Sequence, residues 1–218
     1  SFGQPNLVVL EEKEALHQFH PDIPPTLMWT YNGTFPGPTI VHRLGQSTCI
    51  RRINSLDPNY TGFGIVKTVL HHHGGWQAPI DDGWPLDYIL PGQSRDYLIP
   101  NILPVANDRS YWGSTLWYHD HVADHTAGNV YQGLAGMVQQ FDAFDSDNEN
   151  DPSPTALRLP SGQYDVPLAF SDYILNTDGS LFFDQLEDKG QAGNLFVVNG
   201  KIQPYFNVAA RKYRFRLL

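Results

Sequence analysis

Five of the nine histidines fall in two short runs, Leu70-His71-His72-His73-Gly74-Gly75 and Leu116-Trp117-Tyr118-His119-Asp120-His121. Each run contains a His-x-His pair, His71 with His73 and His119 with His121. Alternate side chains of an extended strand share a face. Each pair therefore offers two imidazoles to one side, with His72 and Asp120 on the reverse. Two such strands facing a common space can build a four-histidine metal site. A lone histidine is more often a satisfied core or surface residue, and His17, His20 and His42 are read that way. His125, four residues beyond His121, would approach the site only through a helical turn.

Imidazole suits zinc, copper, iron and nickel. The single cysteine, Cys49, has no histidine neighbour, so the site must be nitrogen-rich and an internal disulfide is excluded. Cys49 is expected as a buried strand thiol. The residues alone leave open a zinc hydrolase, which would use three protein ligands and a bound water, a mononuclear iron enzyme, or a copper protein.

The elements that must hold these histidines read as strands. Gly64 to Leu70 is rich in β-branched residues and runs into the first pair. Leu116 to Tyr118 enters the second, and Gly133 to Phe141 is an apolar strand closing the unit. Upstream, Pro24 to Gly33 is a strand running into a turn, and Phe35-Pro36-Gly37-Pro38 enforces an extended path. Gly45-Gln46 is a hairpin candidate, and Ser94 to Ile99 is a further strand. Glycine and proline, 19 and 17 residues, punctuate short strands, and no helical periodicity persists. This pattern describes an antiparallel sandwich or barrel.

From Asp142 to Ser161 the chain turns acidic and proline-bearing, the best linker in the sequence. The expected organisation is a first domain over 1–143, a linker over 144–163 and the start of a second domain over 164–218. Strand signals resume at 165–170, 195–200 and 212–218.

A formal charge of −9 and a pI near 5.3 argue against nucleic acid, whose affinity rests on phosphate neutralisation. No apolar run is long enough to cross a membrane as a helix. Ser1-Phe2-Gly3-Gln4-Pro5 lacks a targeting signal, so the chain is expected to be mature or never targeted. Two sequons, Asn32-Gly33-Thr34 and Asn59-Tyr60-Thr61, are compatible with a secreted glycoprotein, and an extracellular location is the expectation.

The surroundings of the histidines narrow the chemistry. His71-His72-His73-Gly74 and Trp117-Tyr118-His119-Asp120-His121, followed by Gly133-Leu134-Ala135-Gly136, resemble the first two copper-binding motifs of the multicopper oxidases. Asn32-Gly33-Thr34-Phe35-Pro36-Gly37-Pro38-Thr39-Ile40, Asn199-Gly200-Lys201 and Tyr213-Arg214-Phe215-Arg216 are similar to further markers of that family. Leu159 to Leu168 and Asp178-Gly179-Ser180-Leu181 are closest to the branch holding bilirubin oxidase, phenoxazinone synthase and the spore-coat laccases.

The resemblance implies an all-β chain: a cupredoxin-like Greek-key sandwich followed by the beginning of a second cupredoxin-like domain. It implies a laccase-like enzyme that oxidises phenolic or aromatic donors by one electron and reduces O2 to water at a trinuclear copper cluster. By position, His71 would bind type 2 copper, and His73, His119 and His121 type 3 coppers. Asp82 matches a family acid beside the type 2 copper and would relay protons. Trp117 and Tyr118 are read as packing around the ligands. The family cluster takes eight histidines and a Cys-centred type 1 copper, neither of which this chain completes. The expected partner is a C-terminal fragment or second chain, without which turnover should fail. The competing reading is a copper-binding or storage module without turnover.

Overall fold

The computed structural model describes residues 5–106, 108–110, 112–187 and 190–218. Ser1 to Gln4, on which the targeting expectation partly rests, lie outside the described residues.

The first sandwich is built from β1 (Asn6–His17), β2 (Thr26–Tyr31), β3 (Gly37–Arg43), β4 (Thr48–Asn54), β5 (Leu70–His73), β6 (Ser94–Ile99), β7 (Thr115–Asp120) and β8 (Ala135–Phe141). One sheet runs β2-β1-β4-β6 and the other β3-β8-β7-β5. Period-2 burial is sharpest in β4, where Thr48, Ile50, Arg52 and Asn54 point inward. Between the sheets lies a core of Leu10, Trp29, Tyr31, Ile40, Ile50, Leu70, Tyr118 and Val138. Burying Arg52 there requires a counter-charge, and Glu12, also fully buried, lies 3.8 Å away.

The second set is β9 (Asp165–Leu168), β10 (Phe170–Tyr173), β11 (Leu195–Val198), β12 (Lys201–Ile202) and β13 (Arg214–Leu217), in sheets β10-β11-β12 and β13-β9. It does not hang free of the first. Phe19 and Met28 share an apolar cluster with Tyr173 and Val197, and Ile202 donates its backbone N–H to the Phe19 carbonyl. The acidic stretch is held by arginine: Asp142 pairs with Arg109, Glu149 with Arg211 and Asp145 with Arg214. The buried Asp165 takes a two-pronged contact from Arg216, both bonds 2.8 Å.

Several local expectations are corrected. The run 64–69 is not a strand, and the ladder begins at Leu70. Gly64 takes a left-handed φ of +84°, and the Asn129 side chain occupies both the N–H and the carbonyl of Ile65. Gly45 does turn the chain, but β3 and β4 enter different sheets, so the turn makes no hairpin. Strand 165–170 breaks at Ala169 into β9 and β10. A helix that no periodicity announced, α1 (Thr126–Gln132), follows the second histidine pair. Cys49 sits on β4 but is only partly covered, between Leu7 of β1 and Leu98 of β6.

Candidate metal centre

Strands β5 and β7 pair antiparallel, with His71 opposite His119 and His73 opposite Trp117. Cross-strand neighbours in such a pair lie within side-chain reach, so the register brings the histidines together. His71 and His73 have ring centroids 5.2 Å apart, His71 and His119 5.4 Å, and His71 and His121 4.8 Å. His121 lies one residue past β7 and is still 5.6 Å from His119. His71, His73 and His119 each offer a nitrogen within 4.8 Å of the others.

Backbone carbonyls decide which nitrogens face this space. Nδ1 of His71 lies 2.5 Å from the Asp82 carbonyl, and Nδ1 of His119 2.6 Å from the Asp120 carbonyl. A carbonyl only accepts, so both Nδ1 atoms carry the proton and both Nε2 atoms present a lone pair. Carbonyl-held histidines of this kind are typical metal ligands. Nε2 of His119 lies 3.2 Å from Nδ1 of His73. Two nitrogens at that separation subtend an angle of about 105° at a cation held at the roughly 2.0–2.1 Å of a metal–imidazole bond. Nδ1 of His121 is buried without a hydrogen-bond partner among the described residues. The donor set fits a nitrogen-ligated transition metal.

Electrostatics agree. Burial lowers His73, His119 and His121, with His71 the next lowering influence on each, and His119 is brought down to about 4. These rings are neutral at pH 7, the state in which imidazole binds a metal.

The reverse face is as expected. Asp120 is fully buried, and burial pushes its carboxyl up to about 7. His72 packs inward and stacks on His42, centroids 5.0 Å apart. His125 precedes α1 and lines a separate cavity with Tyr131 and Phe183. His17 donates from Nε2 to the Gly200 carbonyl and packs on Phe19 and Phe35, and His20 lies near Asp22. Asp82 lies at the rim, its Oδ1 3.6 Å from His71 Nδ1 and accepting from Gln77 at 2.6 Å.

Trp117 and Tyr118, both expected as packing around the histidines, occupy different environments. Tyr118 is core, its hydroxyl donating to the Pro38 carbonyl. Trp117 lies on the imidazole face, stacked on His119 at 4.1 Å and His73 at 5.1 Å. Period-2 alternation already put Trp117 on the side of His119 and His121, and that signal was available.

The family whose model is described as multicopper oxidase matches residues 17–140. The chain belongs to the multicopper oxidase family. It is 35% identical over 235 residues to a laccase of Bacillus subtilis, covering 94% of this chain and 44% of that protein. It is 34% identical over 211 residues to the bilirubin oxidase of Albifimbria verrucaria, covering 96% and 32%. Among solved structures, a multicopper oxidase of the hyperthermophile Aquifex aeolicus superposes with a TM-score of 0.76 at 27% identity, covering 100% of this chain and 43% of that one. A laccase of Pediococcus acidilactici gives 0.73 at 25%, covering 91% and 38%. This multicopper oxidase chain thus has the cupredoxin-like fold its motifs implied and spans less than half the length of these relatives. Its family binds copper, one of the metals a nitrogen-rich face of this kind can hold.

Proposed function

We propose that this chain is the N-terminal portion of a laccase-like oxidase and supplies half the ligands of its oxygen-reducing copper cluster. The observation that carries this reading is the convergence of His71, His73, His119 and His121 from two paired strands onto one face. In the proposed assignment His71 holds type 2 copper, and His73, His119 and His121 hold type 3 copper. Copper bound there supplies one-electron redox chemistry and the place where O2 is reduced to water.

The chain's own residues orient and prepare. The Asp82 and Asp120 carbonyls fix the proton on Nδ1 of His71 and His119 and leave Nε2 free for metal. Trp117 covers the outer faces of His73 and His119 and fixes their planes. Asp82, half exposed and next to His71, is suited to pass solvent protons inward, since O2 reduction consumes them. The remaining histidines, and a Cys-centred type 1 copper taking electrons from a phenolic or aromatic donor, are proposed to come from a C-terminal part or second chain. Cys49 cannot serve, because it lies on the other sheet, away from every histidine of the cluster.

The test uses the intact oxidase. His71→Ala and His121→Ala should each abolish O2 consumption while leaving the blue thiolate-to-copper absorbance of the type 1 centre. Oxygen uptake unchanged in both variants would overturn the assignment.

A further inference from the structure

We infer that Asp120 is a positioning residue for the cluster, acting from the face opposite the imidazoles. The inference rests on the copper reading above and deepens it. Asp120 stands between His119 and His121, and its side chain, fully buried, points away from both. Its Oδ1 accepts the backbone N–H of Val69 at 2.8 Å, and Val69 is two residues before His71. Its Oδ2 accepts the backbone N–H of Val122 at 3.2 Å and the side-chain amide of Asn129 at 2.9 Å. One carboxylate thus ties the entry to β5, the exit from β7 and α1.

The tie is reciprocal and reaches further. The backbone N–H of His121 donates to the Val69 carbonyl at 2.9 Å, so both strands are stitched in each direction at this level. Asn129 accepts the Ile65 N–H at 2.8 Å and donates to its carbonyl at 3.1 Å, anchoring the non-ladder segment that leads into the first pair. The Asp120 carbonyl holds Nδ1 of His119. The ladder itself is short: the pairing of β5 with β7 spans four residues and ends at Leu70 opposite Asp120, with the Val69–His121 backbone bond just beyond it. Four imidazoles on so short a ladder need an outside constraint on their separation, and buried partners of metal ligands supply such constraint.

The test is made on the copper-loaded intact oxidase, with Asp120→Asn, which keeps volume and one acceptor, and Asp120→Ala. Leu10→Ala is the control, a core truncation in β1, on the sheet that does not carry the histidines. Copper retention against a graded chelator and the cluster's EPR spectrum are measured with thermal stability. Both Asp120 variants should release copper at roughly 10–100-fold lower chelator strength than wild type, with altered EPR parameters. Leu10→Ala should lose stability and keep wild-type copper and EPR. Asp120 variants that hold copper and EPR as wild type does, or a Leu10→Ala that loses as much copper, overturn the positioning role. Wild-type protein taking up no copper at the four histidines overturns the functional reading beneath it.

Discussion

Replacing His42 and His72 together with leucine should raise stability far more at pH 5 than at pH 7. The two rings are 0% and 2% exposed, and none of their four nitrogens has a hydrogen-bond partner among the described residues. Burial brings His42 down to about 4. It brings His72 down to about 3, with His42 as the next influence. Both rings start from 6.5, the unfolded value, so as pH falls below it the unfolded chain takes up two protons that the folded chain refuses. Stability is then lost as pH falls, by about 1.36 kcal/mol per unit for each ring. At pH 5 the pair accounts for about 4 kcal/mol, large against the roughly 5–15 kcal/mol that holds a domain folded. At pH 7 the leucines remove unpaired polar atoms and should leave stability unchanged or higher. Asp120 and Glu12 act in the opposite sense, because burial raises both and the folded chain then keeps protons the unfolded one releases. The difference between variant and wild type isolates the histidine pair from them. Urea unfolding of the copper-free protein at pH 7 and pH 5 measures it. An equal gain at both pH values would refute the reasoning.

Gly83→Ala should cost about 1–3 kcal/mol by overpacking and lower copper content. Its φ is +84°, and a Cβ there would meet the Leu70 carbonyl oxygen at 2.2 Å, displacing the loop whose Asp82 carbonyl holds His71. Thermal unfolding and copper per chain check it, and full copper content would count against it. Arg216→Met removes the two-pronged partner of the buried Asp165, leaving it only the Arg214 guanidinium at 3.6 Å among the described residues, and should cost about 3 kcal/mol. Arg51→Ala breaks a half-exposed pair with Asp96 and should cost less than about 1 kcal/mol. Denaturant midpoints compare the two, and equal losses would sink the distinction. Expressed through a glycosylating secretory route, Asn59 should carry glycan and Asn32 should not. The Asn32 side chain is engaged by the Glu11 N–H and the Val9 carbonyl, whereas the exposed Asn59 amide hydrogen-bonds, among the described residues, only Asp57. Glycopeptide mapping reads this directly.

Much of the candidate site was legible because strand alternation is a local rule. His71 with His73, His119 with His121, and the reversed His72 and Asp120 all follow from period 2 over a few residues. What alternation cannot supply is register. That His71 lies opposite His119 is a tertiary fact, decided by where two strands separated by a long loop meet. The helix α1 was invisible for a related reason: it is a single short element around Asn129, held by the side-chain bonds of Asn129 to Asp120 and Ile65 rather than by an amphipathic pattern. The same bonds explain why 64–69 reads as a strand and is not one. Its β-branched residues favour extension, but its backbone groups at Ile65 are taken by a side chain.

The sequence by itself determined the candidate ligand types, the face each presents and the family, since these depend on residue identity and local geometry. Only the tertiary structure decided which nitrogen of His71 and His119 is free, that Trp117 stacks on His73 and His119 while Tyr118 fills the core, and that Asp120 binds both histidine-bearing strands. Those depend on carbonyls and side chains brought together across dozens of residues, and no local pattern encodes them.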